Sequence, residues 1–361
     1  MDLRLSPLTT SHEQMGAKFT TFGGWKMPIR FSSIIEEHNY VRNTAGKFDV
    51  SHMGQIILSG NDAEYLINKL VSNNVTNLRD DQAQYAMITN QDGIILDDIL
   101  VYRNSSESFM FIPNAGHDEE MFLRFVQFRD KWNLDVTVQN STNEIAMFAI
   151  QGPDAVNSLE KISSDSISNL KRFTTTAANI AGTPCTVSRT GYTGEDGFEL
   201  LLSAQDALGL WGNLDFPSCG LGSRDTLRTE MGFLLSGQDF EYKTNPRTPF
   251  EAGVGFTVDL EKDFIGRDAL LQSNSQTLDY NFIGFSLQDR SIPRPNSPIM
   301  GNTGEQIGIV TSGTLSPTLG IPIGLGYVKS AHSSIGTSLQ ITIRNAAKPA
   351  TICSVPFINQ Q

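Results

Sequence analysis

Hydrophobic periodicity changes character once along this chain, at the polar stretch from Gln272 to Thr277, and that change limits what the chain can fold into. Before it, helix and strand patterns interleave from the first residues to about Leu270. From Asp62 to Val71, Ala63, Leu66, Ile67 and Leu70 recur at helical spacing and predict an amphipathic helix. Short alternating or apolar runs at Gln55 to Leu58, Asp98 to Tyr102, Ser108 to Ile112, Asp135 to Gln139 and Ile145 to Ile150 predict strands. After the polar stretch, strand patterns at Asn281 to Leu287, Gly308 to Ser312, Leu325 to Val328 and Ser338 to Ile343 are separated by Gly, Pro, Ser and Asn turns. The expected organisation is a mixed α+β region over residues 1–271, followed by a separate all-β, barrel-like module over 278–361.

At 361 residues the chain exceeds one compact core and suits two or three domains. Hydrophobic residues make up 39% and charged residues 18%, the composition of a folded globular protein. A net charge of -12 without any Lys/Arg run disfavours nucleic acid and points to a small-molecule or protein partner. No run approaches the roughly 20 apolar residues that span a bilayer, so no membrane partner is expected. Met1 to Lys18 lacks the apolar block of a secretory signal and carries Asp2 and Glu13, unlike an acid-poor transit peptide, so a cytoplasmic protein is expected. Cys185, Cys219 and Cys353 are odd in number and far apart, which favours free thiols over a disulfide framework or zinc site. His12, His38, His52, His117 and His332 show no metal-ligand spacing either, and no metal is expected.

Three segments could carry chemistry. Gly93 to Tyr102 places Asp97 and Asp98 at the mouth of an apolar strand, where aspartate is depleted. If the strand is already extended at Leu96, Asp97 and Asp98 point to opposite faces, and Asp98 shares its face with Leu100 and Tyr102. Taken locally, two aspartates closing a loop by turn hydrogen bonds are the commoner arrangement. The segment Arg189 to Glu199 sets three glycines around Tyr192 and leads into a strand from Phe198 to Leu202. A glutamate there can accept two adjacent N–H donors of an amino-heterocycle, although a glycine-rich hairpin with solvated acids explains the same pattern. Gly220 to Glu230 places Arg224 and Arg228 one helical turn apart, with Asp225 three residues before Arg228; a surface salt-bridge lattice explains it equally well.

Taken together, these segments resemble the glycine cleavage system T-protein family. The landmarks are Phe22-Gly23-Gly24-Trp25 with Met27-Pro28, Phe48 to Gly54, Asp97-Asp98, Gln151-Gly152-Pro153, Arg189 to Glu199 and Gly220 to Asp225. Thr248 to Gly253, Lys262 to Arg267 and Thr311 to Gly320 complete them, in register over nearly the whole chain. The resemblance implies two intertwined folate-binding α+β domains and a C-terminal β-barrel, arranged as a clover leaf around a central pocket. It implies an aminomethyltransferase that moves a one-carbon unit from an aminomethyl-lipoyl group on the carrier H-protein to tetrahydrofolate. By the same resemblance Asp98 is the catalytic carboxylate, and Glu199 and Arg224 hold the pterin. Met53, Ile57, Tyr85, Tyr102, Ile112, Asn114 and Tyr192 fall where the family lines its pocket.

Four departures from the family pattern stand out. Ile94 occupies a position where a second glycine is common, and Pro113 precedes Asn114. Ser236 replaces a tyrosine often found before Gly237-Gln238-Asp239, and Ile358-Asn359 follow Pro356-Phe357 without the usual aromatic or basic residue. The loop entering the Asp97-Asp98 strand and the contacts to outer folate are therefore expected to differ. Two other readings share the scaffold: a folate-dependent demethylase of the same superfamily, and a non-catalytic folate-binding protein. The absence of a dinucleotide-binding domain argues against flavin-linked oxidases. Arg189-Thr190-Gly191-Tyr192 stands in place of the Lys-Gly-Cys-Tyr segment of folate-binding proteins that assist iron-sulfur assembly.

Overall fold

In the computed structural model, which describes residues 3–301 and 303–358, the interleaved region forms mixed sheets with helices and the last segment forms a closed barrel. Asp2 and Asn359, both weighed above, lie outside the described residues. The chain divides into two compact units, Met1–Ala86 with Asp97–Arg224, and Met87–Leu96 with Asp225–Gln361.

The first unit contains most of a five-stranded sheet, ordered Gln82–Thr89, Ile95–Ser105, Ser108–Ile112, Ile56–Ser59 and Thr137–Asn140. Its strands follow from alternation. Ile56, Phe111 and Val101 lie side by side in register and Leu58 pairs with Phe109, and these residues are buried on one face. Helix Asp118–Trp132 covers that face, with Phe125 stacked on Phe111 at a centroid separation of 4.4 Å. Acids at 118–120 and bases at 129 and 131 complement the dipole of this helix, and Asn133 ends it in the left-handed region at φ 51°. Helix Ala63–Leu70 buries all four of its periodic apolar residues, as the spacing predicts.

A six-stranded sheet in the same unit runs Thr175–Ile180, Thr183–Ser188, Gly197–Ser203, Ile145–Gln151, Gly46–Asp49 and Ser218–Cys219. Phe148, Ile150, Phe198 and Leu200 occupy one of its faces and join a core with Leu210 and Trp211. A three-stranded sheet of Arg4–Leu5, Trp25–Arg30 and Lys18–Phe22 completes the sheets of this unit.

In the second unit a six-stranded barrel runs Tyr280–Leu287, Pro322–Lys329, Gln306–Leu315, Pro298–Met300, Ser338–Ile343 and Ala346–Cys353, the last pairing back on the first. Phe285, Ile299, Val310, Ile341 and Ile352 fill it. Two of these strands carry no clear sequence pattern: Pro298–Met300 is short, and Ala346–Cys353 starts with Ala-Ala-Lys-Pro. Helix Arg267–Asn274 runs into the polar stretch that begins at Gln272. Arg228 is not part of a surface lattice. It is buried and binds Asp225 and Asp239, each at 2.7 Å, and the Ser312 hydroxyl at 2.7 Å. Among the described residues, no helix is long and apolar enough to cross a membrane. Cys185, Cys219 and Cys353 are free thiols.

Candidate active site

All ten residues singled out for the pocket lie in the first unit. Sheet pairing groups several of them on the face opposite helix Asp118–Trp132. Ile57 pairs with Met110 and Tyr102 also pairs with Met110, while Leu100 pairs with Ile112. Because side chains alternate along a strand, Asp98, Leu100 and Tyr102 share this face, and Asp97, Ile99 and Val101 share the helix-covered one. Burial follows the same alternation: Asp97 is 0% exposed, whereas Asp98 is half-buried.

The two aspartates are nevertheless linked through one amide. Asn114 Nδ2 lies 2.9 Å from Asp97 Oδ1, 2.6 Å from Asp98 Oδ1 and 2.8 Å from the Asp98 carbonyl oxygen. The Asn114 backbone N–H donates to Asp97 Oδ2 at 3.0 Å, and His117 Nδ1 stands 3.0 Å from Asp97 Oδ1. On the other side, the Tyr85 hydroxyl donates to Asp98 Oδ2 at 2.5 Å. Both oxygens of Asp98 are thus held. Burial, then the neighbouring Asp97 charge, push the Asp98 carboxyl up to about 7, against the pull of Tyr85 and Asn114. A carboxyl titrating there can take or give a proton near neutrality. Burial and the Asp98 charge push the Tyr85 hydroxyl well above its ordinary range, so it stays a donor.

The second group lies on the six-stranded sheet. Glu199 pairs with Ala149 and Ser188 in the middle of that sheet, and alternation turns it away from the core face of Phe198 and Leu200. The Thr190 hydroxyl donates to its Oε2. Burial pushes the Glu199 carboxyl up, opposed by Thr190 and by the charge of Arg224. Arg224, in the first turn of helix Leu221–Met231, lays its guanidinium over the Tyr192 ring at 4.6 Å. Among the described residues, its buried Nη1 has no hydrogen-bond partner. An arginine donor left unsatisfied beside a buried carboxylate suits a planar group presenting both a carbonyl acceptor and N–H donors.

Tyr192 is held by the loop it sits on. Arg189 pairs with Asp196 at 2.5 Å, and Arg42 donates to the Thr193 carbonyl at 2.7 Å and to Glu195 at 2.8 Å. The Gln151 amide donates to the Thr190 carbonyl and accepts from the Thr193 hydroxyl. Gly191 is required by this packing, since a Cβ there would stand 1.9 Å from Gln151 Oε1. Met53 sits in the turn after strand Gly46–Asp49, its carbonyl accepting from Gln55 Nε2 at 2.7 Å. The following Gly54 allows close approach to Pro113, whose carbonyl accepts its N–H at 2.9 Å. Pro113 thereby fixes the segment that presents Asn114.

Sequence reasoning missed three residues here. Met110 lies between Ile57 and Tyr102 in the sheet, a position its alternation with Ile112 could have revealed. His52 is buried, and burial with the Arg224 charge pushes it down to about 3, so its imidazole is neutral at physiological pH. His117 was weighed only for metal spacing; its place just before an acidic helix start gives no local sign of Asp97. At Ile94 the chain makes a tight turn, with Asn90 N–H bonded to the Ile94 carbonyl at 2.9 Å and Gly93 at φ 76°.

The model of the GCVT N-terminal domain matches residues 8–262, and that of the glycine cleavage T-protein C-terminal barrel domain matches residues 281–359. A probable aminomethyltransferase of Halobacterium salinarum is 50% identical over the whole of both chains. An aminomethyltransferase of Halothermothrix orenii is 41% identical, covering 99% of this chain and 100% of its own. The crystal structure of glycine cleavage system aminomethyltransferase T from Bartonella henselae superposes with a TM-score of 0.92 at 30% identity, covering 99% of each chain. With both domains matched and relatives this similar from end to end, the chain belongs to the glycine cleavage T-protein family of aminomethyltransferases.

Proposed function

We propose that this aminomethyltransferase takes the one-carbon unit from an aminomethyl-lipoyl group on the H-protein and delivers it to tetrahydrofolate, releasing ammonia, in the cytoplasm. The observation that carries this reading is the presence, within one unit, of an Asp98 carboxyl held at both oxygens by Tyr85 and Asn114 and of a buried Glu199 beside an Arg224 donor with no hydrogen-bond partner among the described residues. The second pair fits a pterin, whose amino and amide edge offers N–H donors to Glu199 and a carbonyl to Arg224. Ile57, Tyr102, Met110, Ile112 and Tyr192 supply apolar and aromatic surface for the rest of the ligand. The folate-binding region is assigned to residues 1–271 and the barrel domain to 278–361, a division supported by the two family matches.

When bound, tetrahydrofolate supplies the amine that receives the carbon. As the bonds from the carbon to nitrogen and to the lipoyl sulfur break, releasing ammonia and the dihydrolipoyl thiol, the carbon gains positive charge, and the fixed carboxylate of Asp98 stabilises it. Tyr85 and Asn114 hold the two oxygens of Asp98, so that little reorganisation is needed as charge develops. Its raised affinity for a proton lets Asp98 receive and release one at Oδ during the transfer.

The test is ammonia release from aminomethylated H-protein with and without tetrahydrofolate. A folate-dependent increase is expected. Equal release in both conditions would refute the assignment.

A further inference from the structure

The carboxylate beside Asp98 has a histidine neighbour that the transfer reaction does not itself require. Asp97 lies under helix Asp118–Trp132, fully buried, and accepts the Asn114 backbone N–H and side-chain amide. His117 immediately precedes that helix and places Nδ1 3.0 Å from Asp97 Oδ1, with its side chain 30% exposed. The same Asn114 amide reaches Asp98 Oδ1 at 2.6 Å, so the His117–Asp97 pair and the Asp98 carboxyl share one hydrogen-bonding group.

We propose that His117 is a positioning residue for the transfer: its imidazolium pairs with the buried Asp97 carboxylate and so sets the charge that Asp98 meets from its strand neighbour. The role assigned to Asp98 rests on the function proposed above, whereas the charge linkage belongs to the free protein. With His117 protonated, the Asp97 charge is balanced and Asp98 ionises more readily. With His117 neutral or absent, the Asp97 charge acts on Asp98 unopposed and favours its protonated form.

The surrounding charges agree with this arrangement. His117 faces Asp97 and Asp98 from strand Ile95–Ser105 and Glu120 from its own helix, and its close approach to Asp97 chiefly lifts it to about 9. It is therefore charged at neutral pH. Asp98 faces Asp97, Tyr85 and Asn114, and Tyr85 in turn faces Tyr192. Asp118 is engaged elsewhere, by Arg4 at 2.8 Å and by Asn140 at 3.2 Å.

Carboxyl titration by 13C NMR of aspartate-labelled protein tests the linkage without any turnover, with the Asp98 signal identified by its loss in Asp98→Asn. In His117→Gln the Asp98 midpoint should rise by about one pH unit. The acid limb of the kcat profile should move with it, while folate Kd changes less than about twofold. His117→Lys, which keeps a cation, should return both toward wild type. In the wild-type protein the His117 ring proton should titrate well above pH 6.5. An unmoved Asp98 midpoint in folded His117→Gln, with or without a loss of stability or rate, overturns the proposal. So does an ordinary His117 midpoint, a measurement that needs no variant. If the Asp98 midpoint moves but the wild-type protein releases no ammonia in response to folate, the linkage stands and the functional reading fails.

Discussion

Replacing Asp98 with Asn should make the protein more stable above neutral pH while it removes most of its activity. The folded Asp98 carboxyl titrates at about 7, against an ordinary value of 3.8, because burial and the Asp97 charge disfavour its ionised form. Between those values the folded state holds a proton that the unfolded chain has released, so the wild type loses stability as pH rises through this window. The loss is complete above about pH 7. Three pH units at 1.36 kcal/mol each set a ceiling of about 4 kcal/mol. Solvent reaching the half-buried carboxyl and the weaker hold of an amide on Tyr85 reduce the expected gain to about 1–3 kcal/mol. Asn has similar shape, does not titrate, and can keep one acceptor for Asn114. Chemical denaturation of wild type and Asp98→Asn at pH 5 and pH 8 measures the effect, and the difference between the proteins should grow in favour of the variant at the higher pH. Turnover at pH 8 should fall by about 10²-fold or more. A variant that gains nothing on going from pH 5 to pH 8 refutes the electrostatic account of this carboxyl. A variant that keeps its turnover refutes the role given to it.

Glu199→Ala should weaken folate binding by about 1.5–3 kcal/mol, read as a smaller ligand-induced rise in melting temperature, since the pterin donors lose a charged acceptor. Unchanged affinity would move the pterin site elsewhere. Asp97→Asn should leave the catalytic step nearly intact and move the acid limb of the rate profile down, because it removes the charge that raises Asp98. It should also cost stability of about 1–3 kcal/mol in denaturation, since the buried acceptor of Asn114 is weakened and the charge facing His117 is removed. A free aminomethyl-lipoate mimic should react far more slowly than the carrier-bound form in initial-rate assays, because docking supplies orientation and effective concentration. Equal efficiency would count against a dedicated carrier.

Sequence by itself determined what depends on neighbours along the chain. Helix Ala63–Leu70 and strands Ser108–Ile112 and Ser338–Ile343 are legible because 3.6- and 2-residue periods record which side of an element meets the core. The same rule separates the faces of Asp97 and Asp98 before any fold is known. Ordered motifs extended this to the family, because nine landmarks constrain the whole chain where each alone constrains little. Tertiary structure decided the contacts that bring distant segments together. Asn114 bridges two carboxylates 16 and 17 positions away, and Arg42 reaches the Tyr192 loop across 151 positions. Arg228 has the local spacing of a surface ion pair, yet its partners Asp239 and Ser312 bury it. Strand Ala346–Cys353 becomes a strand because Ser338–Ile343 and Tyr280–Leu287 offer ladder partners on both sides, which its own composition does not signal. Periodicity tells which face is covered. What covers it, and therefore whether a buried charge is paired, depends on backbone hydrogen bonding and packing between segments that only meet in the fold.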